Sequence, residues 1–368
     1  MTTDTENRHS WPWNGLVIRR DELLRLIEEN GGPKDLDLRG ARFLGDGQEE
    51  EPRLNPIDLS PEALAPLAAA YKQEHGGSEP PWLSWWPDGV ALGVALRRAQ
   101  LQGAVLFGAQ LEGADLRGAQ LERVDMYGVA SLVGAHWGRA FLDCTRVDRR
   151  YVGQSIGDED EAHRHGSASA PDKWMKAEAY RHASEAYLLL KNNFNQIGRY
   201  EDASWAYVKE QQMEKMAHYW ELRAWAKTGE VGDVWYSVGL RSWGWEAWRA
   251  WGSFSRWLRN WAYELLTGYG ERVYMPILWA VVVIAVFAGI YAVAGNIASG
   301  DVGSLQGQPT HSPLTALVHS ISAFATIGFN TLEPQGWGAR LLTALEAMFG
   351  VGLFALFVFT LGNRMSRS

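Results

Sequence analysis

The sequence predicts a multidomain membrane protein: a solenoid with a five-residue period, then a helical hairpin, then a C-terminal all-α module with two membrane spans. Three observations carry this prediction. Two apolar runs of spanning length lie near the end of the chain, at Pro276–Ala294 and Leu341–Leu361. A five-residue pattern runs unbroken from Val94 to Gly128. Between these regions, residues 172–228 read as two long helices broken at Gly198.

The 368 residues are enough for a membrane module and two further units. A net charge of −8 is mild for this size and gives no reason to expect a nucleic-acid partner. The single cysteine, Cys144, excludes an intramolecular disulfide and suits a reducing compartment. Residues 1–35 form an N-terminal segment whose start, MTTDTENRHS, lacks a basic region and an apolar core, so the first span is expected to act as the targeting signal. Glycine-rich phosphate loops, metal-ligand clusters and nucleophile elbows are missing from the sequence, and no enzyme or cofactor is expected.

Residues 36–150 hold the periodic region. The units VALRR, AQLQG, AVLFG, AQLEG, ADLRG, AQLER and VDMYG place Leu96, Leu101, Leu106, Leu111, Leu116, Leu121 and Met126 at their centres. A period of five fits neither a helix nor a flat strand. AHWGR, AFLDC and TRVDR resume at Ala135 after a one-residue slip, and LDLRG and ARFLG precede at Leu36–Gly45. These units resemble the pentapeptide-repeat family, and the resemblance implies a four-sided right-handed β-helix with the central Leu and the Ala two residues before it turned inward. An insertion at 46–93 contains a helix opened by Ser60-Pro61, together with Trp82, Trp85 and Trp86; it reads as a cap on the coil in preference to a ligand pocket. Some relatives imitate DNA, but the outward positions here mix Arg97, Arg98, Arg117 and Arg123 with Glu112, Asp115, Glu122 and Asp125, which argues against a mimic.

Residues 151–171 are polar and rich in Gly and Ser, and read as a flexible linker in which His163 and His165 are solvated rather than metal-bound. In the hairpin at 172–228, Tyr187, Leu190, Phe194, Gly198, Tyr200, Ala203 and Tyr207 resemble one tetratricopeptide repeat. A lone repeat needs a neighbour, most simply the same pair of another subunit. Residues 229–270 hold seven of the nineteen tryptophans, interleaved with Arg241, Arg249, Arg256 and Arg259. That mixture suits the lipid headgroup layer better than nucleic-acid stacking.

The membrane module occupies 271–368. Its first span carries no charge, and its second carries one ionisable residue, Glu346. Between them, Ser312-Pro313 opens a helix too short to cross, whose carboxyl end favours a cation. Arg256, Arg259 and Arg272 precede the first span, Arg364 and Arg367 follow the second, and 295–338 holds no lysine or arginine. Both termini are therefore expected in the cytoplasm, with the protein multi-pass in the plasma (inner) membrane. Gly268-Tyr269-Gly270 lies before the first span and reads as a helix terminator.

The segment Ala325-Thr326-Ile327-Gly328-Phe329-Asn330-Thr331-Leu332-Glu333-Pro334 resembles the potassium-channel filter Thr-Val-Gly-Tyr-Gly-Asp-x-x-Pro at Thr326, Gly328 and Pro334. The whole order of span, short helix, filter and span resembles the two-span ion-channel family. This resemblance implies a selectivity filter at Thr326, Ile327, Gly328, Phe329 and Asn330, passing a monovalent cation, potassium, through a homotetramer. Thr331 stands where relatives have the aspartate that supports the filter, and Glu346 is expected to brace it from behind or to charge the vestibule, with simple reach to the interface as the alternative. Gly350 and Gly352 are a gating hinge or a close packing contact. The sequence thus reads as a tetrameric cation channel gated by its pentapeptide and helical units. The alternative is a non-conducting, membrane-anchored scaffold for a cytoplasmic protein partner.

Overall fold

The computed structural model describes residues 11–47, 55–85, 91–106, 109–126, 131–166, 169–228, 243–270, 272–294, 297–299, 309–310, 312–326, 332–334 and 336–365. The chain divides into two compact units, Met1–Leu258 and Arg259–Ser368.

The first unit begins with β1 (Val17–Arg19), α1 (Arg20–Glu29) and β2 (Arg42–Leu44), with β1 and β2 paired in parallel. Leu23, Leu24 and Ile27 of α1 join Ile18 in the same buried core as the repeat. The N-terminal segment 1–35 is therefore, over its described part, a piece of the solenoid unit. Its apolar stripe is only three residues wide within a charged run.

The coil is built on turns. The first amide of each unit donates to the central carbonyl of the unit before, as from Ala99 to Leu96 (3.2 Å) and from Ala119 to Leu116 (3.0 Å). The fifth residue between them is left-handed, with φ of +67° at Gly103, +62° at Gly113 and +70° at Gly118. The third position of a type II turn demands that conformation, which is why glycine recurs there. Parallel bridges join Ala95 to Asp115, Gln100 to Gln120 and Val105 to Asp125, so the coil closes every twenty residues, or four units. Further along the offset is twenty-one, from Asp115 to His136 and from Gln120 to Phe141, which is the one-residue slip expressed in space. All seven central residues from Leu96 to Met126 are buried, each stabilising the coil by about 2 kcal/mol. Regular strand is scarce here because each face contributes only a residue or two before the next turn.

The insertion departs from its expected bounds. Ile57–Leu59 rejoin the coil, with Leu59 N–H donating to Gln110 O and Gln110 N–H to Ile57 O, both at 3.0 Å. The chain then leaves again through α2 (Pro61–Glu74), capped by Ser60 Oγ at 3.3 Å from Ala63 N, and returns through β3 (Leu83–Trp85), antiparallel to β4 (Ala91–Val94). Trp82 is buried edge-on to Tyr71 of α2, and Lys72 lies over the Trp85 ring at 4.1 Å. Trp86 lies outside the described residues.

The flexible linker expected at 151–171 is largely helical. After α3 (Arg149–Val152), α4 (Gly157–Arg164) packs on the end of the coil. Its acidic run occupies the first turn, where the helix dipole favours negative charge. The Asp158 carboxylate accepts the Trp137 and Gly138 amides at 2.6 and 3.2 Å. Glu159 meets Lys209 Nζ at 3.0 Å and accepts the Tyr187 hydroxyl. A string of acids looks solvated in a sequence; here the partners are twenty to fifty residues away. His163 Nδ1 sits 2.8 Å from Glu159 O, and the described residues hold no cluster of metal-ligating groups.

The hairpin is α5 (Ala170–Gln196) and α6 (Tyr200–Thr228). Ser169 and Asp172 form a reciprocal capping box at its start. The neighbour it packs on is the coil of its own chain: Asn193 bonds Thr145 twice, at 3.0 and 2.8 Å, and Gln196 accepts the Cys144 amide.

Three buried groups set the electrostatics of the coil. Burial alone would push the Asp115 carboxyl up, but Arg117 and Arg97, at 2.9 and 2.6 Å, outweigh it and hold it far below the carboxylate range. Ser84 Oγ donates to the same carboxylate, tying β3 to the coil. Burial, reinforced by Arg117, pushes the His136 imidazole down to about 4. Asp158 goes the other way, pushed up to about 7 by burial despite its amide donors.

Helix α7 (Trp243–Thr267) follows, ending at Gly268, Tyr269 and Gly270, all left-handed. The second unit contains α8 (Tyr274–Ala294), β5 (Ile297–Ser299), β6 (Pro309–Thr310), α9 (Pro313–Phe324), β7 (Leu332–Pro334) and α10 (Gly336–Met365). The three short strands make one antiparallel sheet in the order β6-β5-β7, which the sequence analysis did not anticipate.

Candidate functional site

Helices α8 and α10 are apolar and longer than the minimum for a span. Their exposed surface is lined by Val281, Val286, Ile290 and Val293 on α8, and by Phe349, Phe354 and Phe359 on α10. So much exposed apolar surface needs a cover, and hydrocarbon suits it. At twelve residues, α9 is about 18 Å long and cannot cross.

Polar side chains lock α9 to both long helices. Glu346 of α10 is fully buried; Tyr291 of α8 donates to its Oε2 at 3.0 Å, and Ser320 of α9 bonds its other oxygen. The Ser320 hydroxyl also lies 3.0 Å from Ile284 O of α8. Thr343 Oγ1 stands 3.3 Å from the Tyr291 hydroxyl and 3.2 Å from His319 Nε2, and donates to Ala339 O at 2.9 Å. The rings of Tyr291 and His319 meet edge-on at 5.0 Å. Ser320, Glu346 and Tyr291 form one hydrogen-bonded set and Thr343 and His319 another, and the two meet at the Tyr291 and Thr343 hydroxyls.

The expected site residues are placed unevenly. Thr326 lies two residues beyond the end of α9, with φ +55° and its amide on Ala323 O at 3.1 Å. Ile327, Gly328, Phe329, Asn330 and Thr331 lie outside the described residues. The segment is anchored on both sides: before it, α9 ends against α10, and after it, β7 pairs with β5 through Ala298–Glu333 and Ser299–Leu332. At Gly350 a Cβ would stand 2.1 Å from Phe324 O, so the α9 terminus reaches α10 only because position 350 has no side chain. Gly350 is a packing contact. Gly352 has open space around it, and α10 runs without a break through both. Glu346 does not reach the interface; it is enclosed by neighbouring helices.

Sequence reasoning missed Tyr291, His319, Ser320 and Thr343. Each is a solitary polar residue in an apolar stretch, and their only signal was the need of a buried Glu346 for partners.

Residues 278–367 match the family described as Ion channel. The chain carries an ion-channel module. Residues 96–129 match the family of Pentapeptide repeats, in eight copies. No curated protein matches the chain, and no solved structure does. The ion-channel module contains most of α8 and all of α9 and α10. With its two apolar helices it fits a membrane protein in a lipid bilayer, and a module of this kind implies oligomerisation.

Proposed function

We propose that the protein is a homotetrameric cation channel of the potassium-channel-like type, gated by its cytoplasmic units. The observation that carries the reading is the order α8, α9, Thr326 segment, α10 within the ion-channel match, with the carboxyl end of α9 directed into the segment at 325–331. In this reading α9 is a re-entrant pore helix, and its terminal dipole favours a cation. Carbonyls of Thr326, Ile327, Gly328 and Phe329 and the Thr326 hydroxyl replace the water of a monovalent ion, potassium being the expected one. Glu346 holds α9 from behind, and Gly352 is the position left for a hinge. Both termini lie in the cytoplasm of a plasma (inner) membrane protein, and the coil is a four-sided right-handed β-helix that passes movement to the pore through the hairpin and α7.

Purified protein in proteoliposomes tests this. Potassium flux is expected, and Gly328→Val should stop it while leaving tetramers intact, because a branched side chain blocks the carbonyl path. Undiminished flux in that variant would remove the filter from this segment. With Asn330 and Thr331 in place of the Gly-Asp of relatives, we expect a weaker preference for potassium over sodium than in those pores. Reversal potentials should show Asn330→Gly with Thr331→Asp restoring it.

A further inference from the structure

Among the described residues of the second unit, His319 is the titratable side chain in the middle of α9, only 3 % exposed. One of its nitrogens, Nε2, is 3.2 Å from Thr343 Oγ1. The other, Nδ1, is buried and has no hydrogen-bond partner among the described residues. The Thr343 hydroxyl spends its single hydrogen on Ala339 O, at 2.9 Å. It can therefore only accept from the imidazole, so Nε2 carries the hydrogen and Nδ1 is the bare nitrogen of a neutral ring. Tyr291 likewise gives its hydrogen to Glu346 Oε2, so the Tyr291 and Thr343 hydroxyls meet at 3.3 Å with no hydrogen between them, and His319 Nε2–H is the donor that Thr343 accepts.

We propose that His319 is a positioning residue for the ion path: as a neutral imidazole it fixes α9 on α10 seven residues before Thr326, and protonation, which forces an unpaired donor into that contact, weakens it and loosens the filter. A proton on Nδ1 would create a buried donor with no acceptor and a charge facing apolar helices, which costs more than the bare nitrogen does. The titratable groups around it are Tyr291 from α8 and Glu346 from α10; α9 itself offers no other, and Arg340 of α10 is exposed. Glu346 is reached from His319 only through Thr343 and Tyr291, and its oxygens already have Tyr291 and Ser320. Among the described residues, then, a protonated His319 gains no direct anionic partner. The proposal rests on the ion-conduction reading, but it concerns a contact that exists whether or not ions pass.

Two variants separate the roles of the ring. His319→Gln keeps an N–H for Thr343 and cannot titrate; His319→Leu loses both. Flux and potassium-over-sodium preference are measured in proteoliposomes at neutral pH and at about pH 5.5, below the ordinary imidazole range. Thermal melting of the purified full chain is followed at the same two values. Wild type should lose roughly five-fold in flux on acidification, the change expected from burying one donor that finds no acceptor. His319→Gln should keep its preference and show a flat profile, and His319→Leu should be less selective already at neutral pH. A His319→Leu protein with the wild-type preference and pH profile, or a His319→Gln protein with an undiminished acid response, would overturn the proposal. If intact wild-type protein passes no ions, the conduction reading falls, and melting still decides: acid should lower the wild-type transition more than that of His319→Gln, and equal shifts refute the role of the ring.

Discussion

The coil and the membrane module both bury carboxyl groups, and they satisfy them by opposite means. Asp115 and Glu159 in the first unit are held by Arg97, Arg117 and Lys209. Glu346 in the second has hydroxyls alone, from Tyr291 and Ser320, and no cationic side chain pairs with it among the described residues. A unit folding in water can bring in arginines whose stems pack on its surface while their forks reach inward. A helix that crosses hydrocarbon must import such a charge at several kcal/mol, so it recruits neutral donors from its neighbours instead. The burial is similar, and the solvent outside decides the partner.

The largest effect that tests this contrast comes from giving the coil a carboxylate with no partner. Leu111 is fully buried at the centre of its unit, and Leu111→Asp should cost about 4 kcal/mol or more. Hydrogen exchange on the full chain should show the coil amides unprotected; retained protection would mean that the five-residue register is wrong. Asp115→Asn keeps the shape and removes the charge, leaving Arg117 with Glu161 alone, at 3.1 Å, for an anion, at a cost of about 2 kcal/mol. The same readout applies, and a loss under about 1 kcal/mol would deny the ion pairs their part.

A subtler test uses pH. Below its ordinary value of 6.5 the unfolded His136 takes a proton that the folded ring refuses until about 4, so its contribution is lost as pH falls through that window. The folded Asp158 keeps a proton up to about 7 that the unfolded chain releases near 3.8, so its contribution is lost as pH rises. The two nearly cancel, and coil stability should be flat between pH 4 and 7. Asp158→Asn should then tilt it towards acid lability and His136→Gln towards lability at neutral pH, each by on the order of 2 kcal/mol across the window. Parallel slopes in the two variants would exclude the opposition. The smallest effect is expected in the membrane module. In Glu346→Gln the amide can accept from Tyr291 and donate to Ser320, whose hydroxyl then serves Ile284 O, so the melting temperature should hardly move, with a cost under about 1 kcal/mol. A cost like that of Asp115→Asn would erase the contrast.

What the sequence disclosed follows the range of the interactions. The turn glycines, the central leucines and the one-residue slip are local, and they translate directly into the offsets of twenty and twenty-one between bridged residues. The spans and the Ser312-Pro313 helix start are local too, although Ser312 makes no side-chain cap bond on that helix. The helix at Gly157–Arg164 reads as a linker in the sequence because its acids are satisfied by Trp137, Gly138 and Lys209, which no window of sequence connects to it. The sheet of β5, β6 and β7 escaped because its strands are two or three residues long. At the site, Glu346 stood out as a charge in an apolar run, whereas the residues that hold it looked like ordinary small polar interruptions.

The pairing of β5 with β7 has a mechanical consequence. Strand β5 begins three residues after α8 ends, and α10 begins two residues after β7, so this ladder pins one end of the two long helices together. Rods pinned at one end move as levers. Any displacement of α10 against α8 must be small beside the sheet and grow with distance along the helices, reaching its greatest sweep at the far ends, which adjoin α7 on one side and the final basic residues on the other.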